Sequence, residues 1–166
     1  MTGVQTCALP ICLAAAGWKG HVLVAAVLHD TIEDTDTSYE QLLSNFGKTV
    51  ADLVVEVSDD KSQTQKSRKK AQVEKAGSLS LLAKAIKVAD QLENVEDVAY
   101  DPPVGWSDKK RLEYIAWADK VVRSAVLGST RNGDDNDALL AMYADFIEIR
   151  DSAYAVIAAQ HSIKEK

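Results

Sequence analysis

Val22-Leu23-Val24-Ala25-Ala26-Val27-Leu28-His29-Asp30-Thr31-Ile32-Glu33-Asp34-Thr35-Asp36 is an apolar run that ends in an imidazole and four carboxylates. Its valines would suit a strand, but the run continues into helical spacing and is read as a helix. His29 and Asp30 offer one nitrogen and one oxygen donor, a mixed set that suits Mn²⁺, Fe²⁺ or Zn²⁺. If the helix continues, Glu33 lies four residues past His29 on the same face, where a carboxylate can position a water beside the ion. A bare His-Asp pair is more often a solvated helix end, so the pair needs a partner elsewhere in the chain.

The partner is Asp90, in Ala85-Ile86-Lys87-Val88-Ala89-Asp90-Gln91-Leu92-Glu93-Asn94. Leu82, Ile86, Ala89, Leu92 and Val95 recur at helical steps, which predicts an amphipathic helix over 79–98 with Asp90 at the edge of its buried stripe. Two readings of Asp90 are open. One is a surface ion pair with Lys87, three residues before it and of little energetic weight. The other is an ion shared with His29 and Asp30.

His29-Asp30 followed by an isolated Asp90 resembles the HD-domain metal phosphohydrolases, and His-Asp-Thr-Ile-Glu-Asp-Thr at 29–35 is similar to their RelA/SpoT-type alarmone hydrolase branch, including its short single-domain members. Asn45-Phe46-Gly47, Val57-Ser58-Asp59-Asp60-Lys61, Lys87-Val88-Ala89-Asp90, Gly105-Trp106-Ser107, Glu113-Tyr114 and Trp117-Ala118 extend the resemblance over residues 20–130. It implies an all-α HD-domain helical bundle that hydrolyses the 3′-pyrophosphate of guanosine alarmones to GDP or GTP and pyrophosphate. It further implies His29, Asp30 and Asp90 as ligands of Mn²⁺, Glu33 and Asp34 as the pair that orients water, and Asn94 and Tyr114 as nucleotide contacts. Gln91, Glu93 and Glu96 depart from the pattern, which often has basic or aromatic residues there. The alternatives are an HD phosphohydrolase acting on another nucleotide such as NADPH, and an inactive nucleotide-sensing module.

The resemblance also implies a fourth ligand, a histidine upstream of the His-Asp pair, and residues 1–12 contain none. Residues 1–11 resemble a translated sequencing adapter. The expectation is therefore a non-native segment over 1–12, with a single HD domain over 13–166 that is truncated at its N-terminus. Cys7 and Cys12 are the only cysteines. With no Cys or His partner at zinc spacing they imply neither a disulfide framework nor a metal knuckle.

A chain of 166 residues, 46% of them hydrophobic, can bury about two-thirds of its unfolded surface around one core. No apolar run reaches the ~18 residues of a membrane span, and neither a signal peptide nor a membrane partner is expected. A cytoplasmic setting is. Thr37-Ser38-Tyr39-Glu40 reads as a capping box, and Val50, Leu53, Val54 and Val57 mark the helix after it. Ser107 caps a helix running to Leu127 and closed by Gly128. Leu139, Leu140, Tyr143, Ile147 and Tyr154 mark a last helix from Asp135 to Ala159.

A net charge of −6 argues against a stable nucleic-acid partner. Residues 61–75 are nevertheless basic: Lys61, Lys66, Arg68, Lys69, Lys70 and Lys75 face Glu74 alone. This is either a solvated helix face or a rim for a small polyanion. The rim is preferred, with Lys66, Lys69 and Lys70 as contacts to a nucleotide polyphosphate. Trp18, Trp106, Trp117 and Phe146 read as core or loop anchors in preference to a base-stacking platform. His21 and His161 receive no role.

Overall fold

The computed structural model describes residues 8–128 and 137–164. Among them every regular element is helical, in the order α1 (Ala8–Ala15), α2 (His21–Val27), α3 (Thr31–Asp34), α4 (Tyr39–Phe46), α5 (Lys48–Val57), α6 (Gln65–Ala76), α7 (Leu81–Tyr100), α8 (Asp108–Leu127) and α9 (Asp137–Lys164). The all-α expectation holds. Cys7 and Asp135 lie outside the described residues, and the boundary expected between residues 12 and 13 falls inside α1.

The central element is α7. It packs against α8, α9, α1, α2 and α5, while α6 lies on α8 and α4 on α5. The expected single buried stripe on α7 is therefore too narrow. Ala83, Ala85, Ile86, Val88, Ala89, Leu92, Val95, Val98 and Ala99 are all buried, because a helix enclosed by neighbours must be apolar around most of its circumference. On α9 the core stripe is Leu139, Met142, Phe146, Ala153 and Ile157, whereas Leu140 is exposed.

The caps follow local chemistry. Ser38, one residue later than the expected box, accepts from Gln41 N while Gln41 returns the bond to the Ser38 backbone. Ser80 and Ser107 cap α7 and α8 through their hydroxyls. Gly47, at φ +80°, both ends α4 and starts α5, a turn that favours a residue with no Cβ. Gly128 ends α8 at φ −65°, so a left-handed cap is not what requires glycine there. The requirement is packing: a Cβ on Gly128 would stand 2.6 Å from Gly77 Cα and 2.8 Å from its carbonyl carbon. No described helix is long and apolar enough to cross a membrane.

Candidate active site

The apolar run 22–28 does not continue as one helix into the acidic string. Leu28 caps α2, and Thr31 donates through both its backbone N–H and its hydroxyl to Leu28 O, at 3.0 and 2.6 Å. Asp30 then starts the single turn α3, with Asp34 N donating to Asp30 O at 2.8 Å. Glu33 consequently shares a turn with Asp30 and not a continuous helical face with His29, which corrects the spacing argument. Asp30 makes no side-chain cap bond to α3; the break is held by the two Thr31 bonds to Leu28 O.

The break turns His29 inward. Its ring is buried, and Nδ1 lies 2.8 Å from Ala26 O. A carbonyl can only accept, so Nδ1 carries a proton and Nε2 is the atom left for the site. Nε2 is 3.1 Å from Asp30 Oδ2 and 3.7 Å from Asp90 Oδ1. Residues far apart in the chain thus meet as the sequence reading expected. Burial of the ring works against its charge, but the two carboxylates outweigh burial and raise the His29 pKa.

Around Asp90 the structure departs from a surface ion pair. Lys87 Nζ lies 3.6 Å from Asp90 Oδ2, and the two side chains are only 12% and 14% exposed. Burial opposes the Lys87 charge, yet Asp90, Asp59, Glu33 and Asp30 together keep its pKa above the ordinary value. Burial would likewise raise Asp90, but Lys87 and His29 hold it well below the usual carboxylate range. Asn94 Nδ2 donates to Asp90 Oδ1 at 2.7 Å and Gln91 Nε2 to Oδ2 at 2.9 Å. Glu93, one turn beyond Asp90, is pushed up to about 7 by burial and by the charges of Asp90 and Asp97.

Glu33 and Asp34 part company. Glu33 Oε1 accepts from Asp59 N at 2.8 Å, and burial together with the Asp59 and Asp30 charges raises its pKa. Asp34 is exposed and pairs with Lys61 Nζ at 2.6 Å, and the same ammonium donates to Glu33 O. Ser58 donates to His29 O at 3.5 Å and Gln72 to Asp59 Oδ2. The segment between α5 and α6 is therefore tied to the His-Asp turn.

A cleft of about 390 Å³ is lined by Gln65, Lys66 and Lys69 of α6, Lys110, Glu113 and Tyr114 of α8, and Trp106. Tyr114 packs at 5.6 Å from the Trp106 ring and 5.1 Å from the Trp117 ring. Lys69 Nζ stands 4.9 Å from the Tyr114 centroid and 4.5 Å from that of Trp117, with Lys110 Nζ 4.4 Å from Trp106. Trp117 Nε1 also donates to Lys69 O at 3.0 Å. Burial, and after it the charges of Asp90 and Asp97, raise the Tyr114 hydroxyl pKa. The basic segment is divided: Lys66 and Lys69 line the cleft, Lys70 pairs with Glu74 at 3.5 Å, and Lys75 donates to Glu56 O at 2.7 Å. Trp106 and Trp117 are anchors as expected, and Trp106 also walls the cleft.

The model for the HD domain matches residues 4–118, more than half of the chain. The chain belongs to the HD-domain family. It is 48% identical over 101 residues to the Drosophila melanogaster guanosine-3′,5′-bis(diphosphate) 3′-pyrophosphohydrolase MESH1, covering 61% of this chain and 56% of the relative. The Homo sapiens protein of the same name is 47% identical over 102 residues, with coverage of 61% and 57%. The chain thus spans a little over half the length of these curated relatives. Among solved structures, a metazoan ortholog of SpoT that hydrolyses ppGpp superposes with a TM-score of 0.74 at 38% identity, covering 86% of this chain and 78% of that one. A Listeria monocytogenes protein at 23% identity and TM-score 0.68 shares the fold.

Hydrolases of the HD-domain family depend on a metal. His29, Asp30 and Asp90 fit a divalent cation in kind, since Nε2 and carboxylate oxygens are its ordinary donors and the Nδ1 bond to Ala26 O presents the right nitrogen. In their present arrangement the imidazole Nε2 stands 3.1 Å from Asp30 Oδ2 and 3.7 Å from Asp90 Oδ1. By donor spacing no three His, Cys, Asp or Glu side chains among the described residues form a closed metal-binding group. Asp59 and Lys110 are site members to which the sequence reading gave no role; it paired Lys87 with Asp90 but at the surface, and noted Gln91 only as a departure from the family pattern. Lys87 and Gln91 had a signal, since positions three before and one after Asp90 share its surroundings on a buried helix.

Proposed function

We propose that this chain hydrolyses the 3′-pyrophosphate of guanosine alarmones, releasing pyrophosphate and GDP or GTP, with Mn²⁺ held by His29, Asp30 and Asp90. The observation that carries this reading is the meeting of His29 Nε2 with Asp30 Oδ2 at 3.1 Å and Asp90 Oδ1 at 3.7 Å, a nitrogen–oxygen donor set drawn from distant parts of the chain. The MESH1 relatives and the ppGpp-hydrolysing structural neighbour support the substrate class.

A divalent ion at His29 Nε2 and the two aspartates would supply the charge that polarises a phosphoryl oxygen and acidifies a water. Glu33, fixed through Oε1 by the Asp59 N–H and raised in pKa by burial and then the Asp59 charge, orients that water and takes its proton. Asp34 assists from the exposed side. Lys66, Lys69 and Lys110 receive the phosphates, Tyr114 contacts the nucleotide, and Asn94 holds Asp90 Oδ1 at its edge. Lys70 belongs to the outer rim. The soluble nucleotide substrate suits a cytoplasmic setting.

A second reading, a nucleotide-sensing HD module without turnover, draws on the absence of a closed metal-binding group among the described residues. One experiment separates the readings. The purified chain is incubated with Mn²⁺ and either guanosine tetraphosphate or NADPH, and the products are resolved by anion-exchange chromatography. GDP and pyrophosphate, absent with Asp90→Ala, are the expected products. Phosphate release from NADPH alone would overturn the alarmone assignment, and nucleotide binding with no product would select the sensing module.

A further inference from the structure

Asp90 is a carboxylate whose two oxygens do different work. Oδ1 faces His29 Nε2 at 3.7 Å and accepts from Asn94. Oδ2 accepts from Gln91 Nε2 at 2.9 Å, with Lys87 Nζ farther off at 3.6 Å. Gln91 is only 2% exposed, in a helix whose other buried positions are mostly alanine, valine, leucine and isoleucine. Its Oε1 is buried and finds no donor among the described residues. The orientation of the amide is not in question, because only the NH₂ end can donate to a carboxylate. A buried amide satisfied at one end alone is less favourable than an apolar residue of similar volume. The core therefore carries a glutamine that packing does not call for, and its side-chain amide donates to Asp90.

We infer that Gln91 is a positioning residue for Asp90, its amide holding one carboxylate oxygen so that the other faces the His29 imidazole. The bond to Oδ2 resists rotation about the Cβ–Cγ bond. Lys87 cannot replace it, since an ammonium is a point charge with three rotatable donors and imposes little direction. With Gln91 gone, Asp90 stays charged beside Lys87 and His29 and keeps the Asn94 bond to Oδ1, but Oδ2 loses its one directional donor and the carboxylate is held at one oxygen only. The inference rests on the reading of Asp90 as a metal ligand.

The test is Mn²⁺ titration of chelator-stripped protein by calorimetry, with far-ultraviolet circular dichroism to verify helix content. Gln91→Leu is expected to keep its helices and to bind Mn²⁺ at least about tenfold more weakly, the usual consequence of removing a hydrogen-bond partner of a ligand. Gln91→Met, closer in shape, should behave alike and serves if the leucine variant folds poorly. Unchanged Mn²⁺ affinity in either folded variant overturns the inference, and so does unfolding of both, which would make Gln91 a structural residue. Asp90→Asn distinguishes this from failure of the underlying reading. If it too binds Mn²⁺ like the wild type, Asp90 is not a ligand. If it alone loses the ion, only the role of Gln91 falls.

Discussion

Glu33 and Asp34 are adjacent in the chain and differ in what surrounds them. Glu33 is half-buried, anchored by a backbone N–H and close to the charges of Asp30, Asp59 and Lys87. Asp34 is 68% exposed and paired with a lysine, a contact of the kind worth little in water. Glu33→Gln should therefore lower kcat by roughly 10²-fold or more, the usual loss for a general base, while Mn²⁺ binding persists. Asp34→Asn should cost far less. Steady-state kinetics at saturating Mn²⁺ decides between them, and equal losses would show that the two carboxylates act as a unit. The candidate ligands could be named from the chain because His-Asp followed by a helical Asp is an unusual run of polar donors against apolar surroundings. Lys87 could not be weighed, because an ion pair three residues apart looks the same in sequence whether buried or solvated.

At the scale of elements, α6 and the ends of α6 and α8 carry the most specific consequences. The helix α6 has Ala76 as its one buried residue and is attached to α8 partly by the Lys69 ammonium against Tyr114 and Trp117. Reversing the charge of Lys69 should raise the KM for guanosine tetraphosphate and leave kcat less affected, as expected for a group that binds ground and transition states alike. Lys70→Glu should change little, since Lys70 is exposed beside Glu74. Matching effects would return both residues to one charged rim. The Gly77–Gly128 crossing is purely steric. Gly128→Ala drives a methyl into the Gly77 backbone, whereas a Cβ on Gly77 meets Ser124 O at 3.1 Å. The first should destabilise by about 1–3 kcal/mol and the second by less, as read from urea unfolding midpoints. Glycine after Leu127 was legible as a helix stop. Its partner across the crossing was not, because nothing local links residues 77 and 128.

For the whole molecule, the acidic lining of the site makes stability depend on pH in a definite direction. Glu93 is raised from 4.5 to about 7 and His29 from 6.5 to about 10. Each folded pKa exceeds its unfolded value, so each contribution is complete below the unfolded pKa and is lost as pH rises through the folded one. Chelator-treated protein should lose resistance to urea in two stages, between pH 4.5 and 7 and again towards pH 10. Glu93→Gln should match the wild type at pH 4 and exceed it at pH 8. A wild type that gains stability across this range would contradict the assignment. The sequence by itself determined the all-α class and most helix positions, because apolar periodicity and caps are local properties, and it singled out His29, Asp30 and Asp90 as candidates by donor type and resemblance. Only the tertiary structure decided that the helix breaks before Asp30, that Lys87 and Gln91 stand buried against Asp90, and that Lys69 and Lys110 share an aromatic cleft while Lys70 does not. Those facts depend on which faces of distant helices meet, and on the low exposure that their meeting creates.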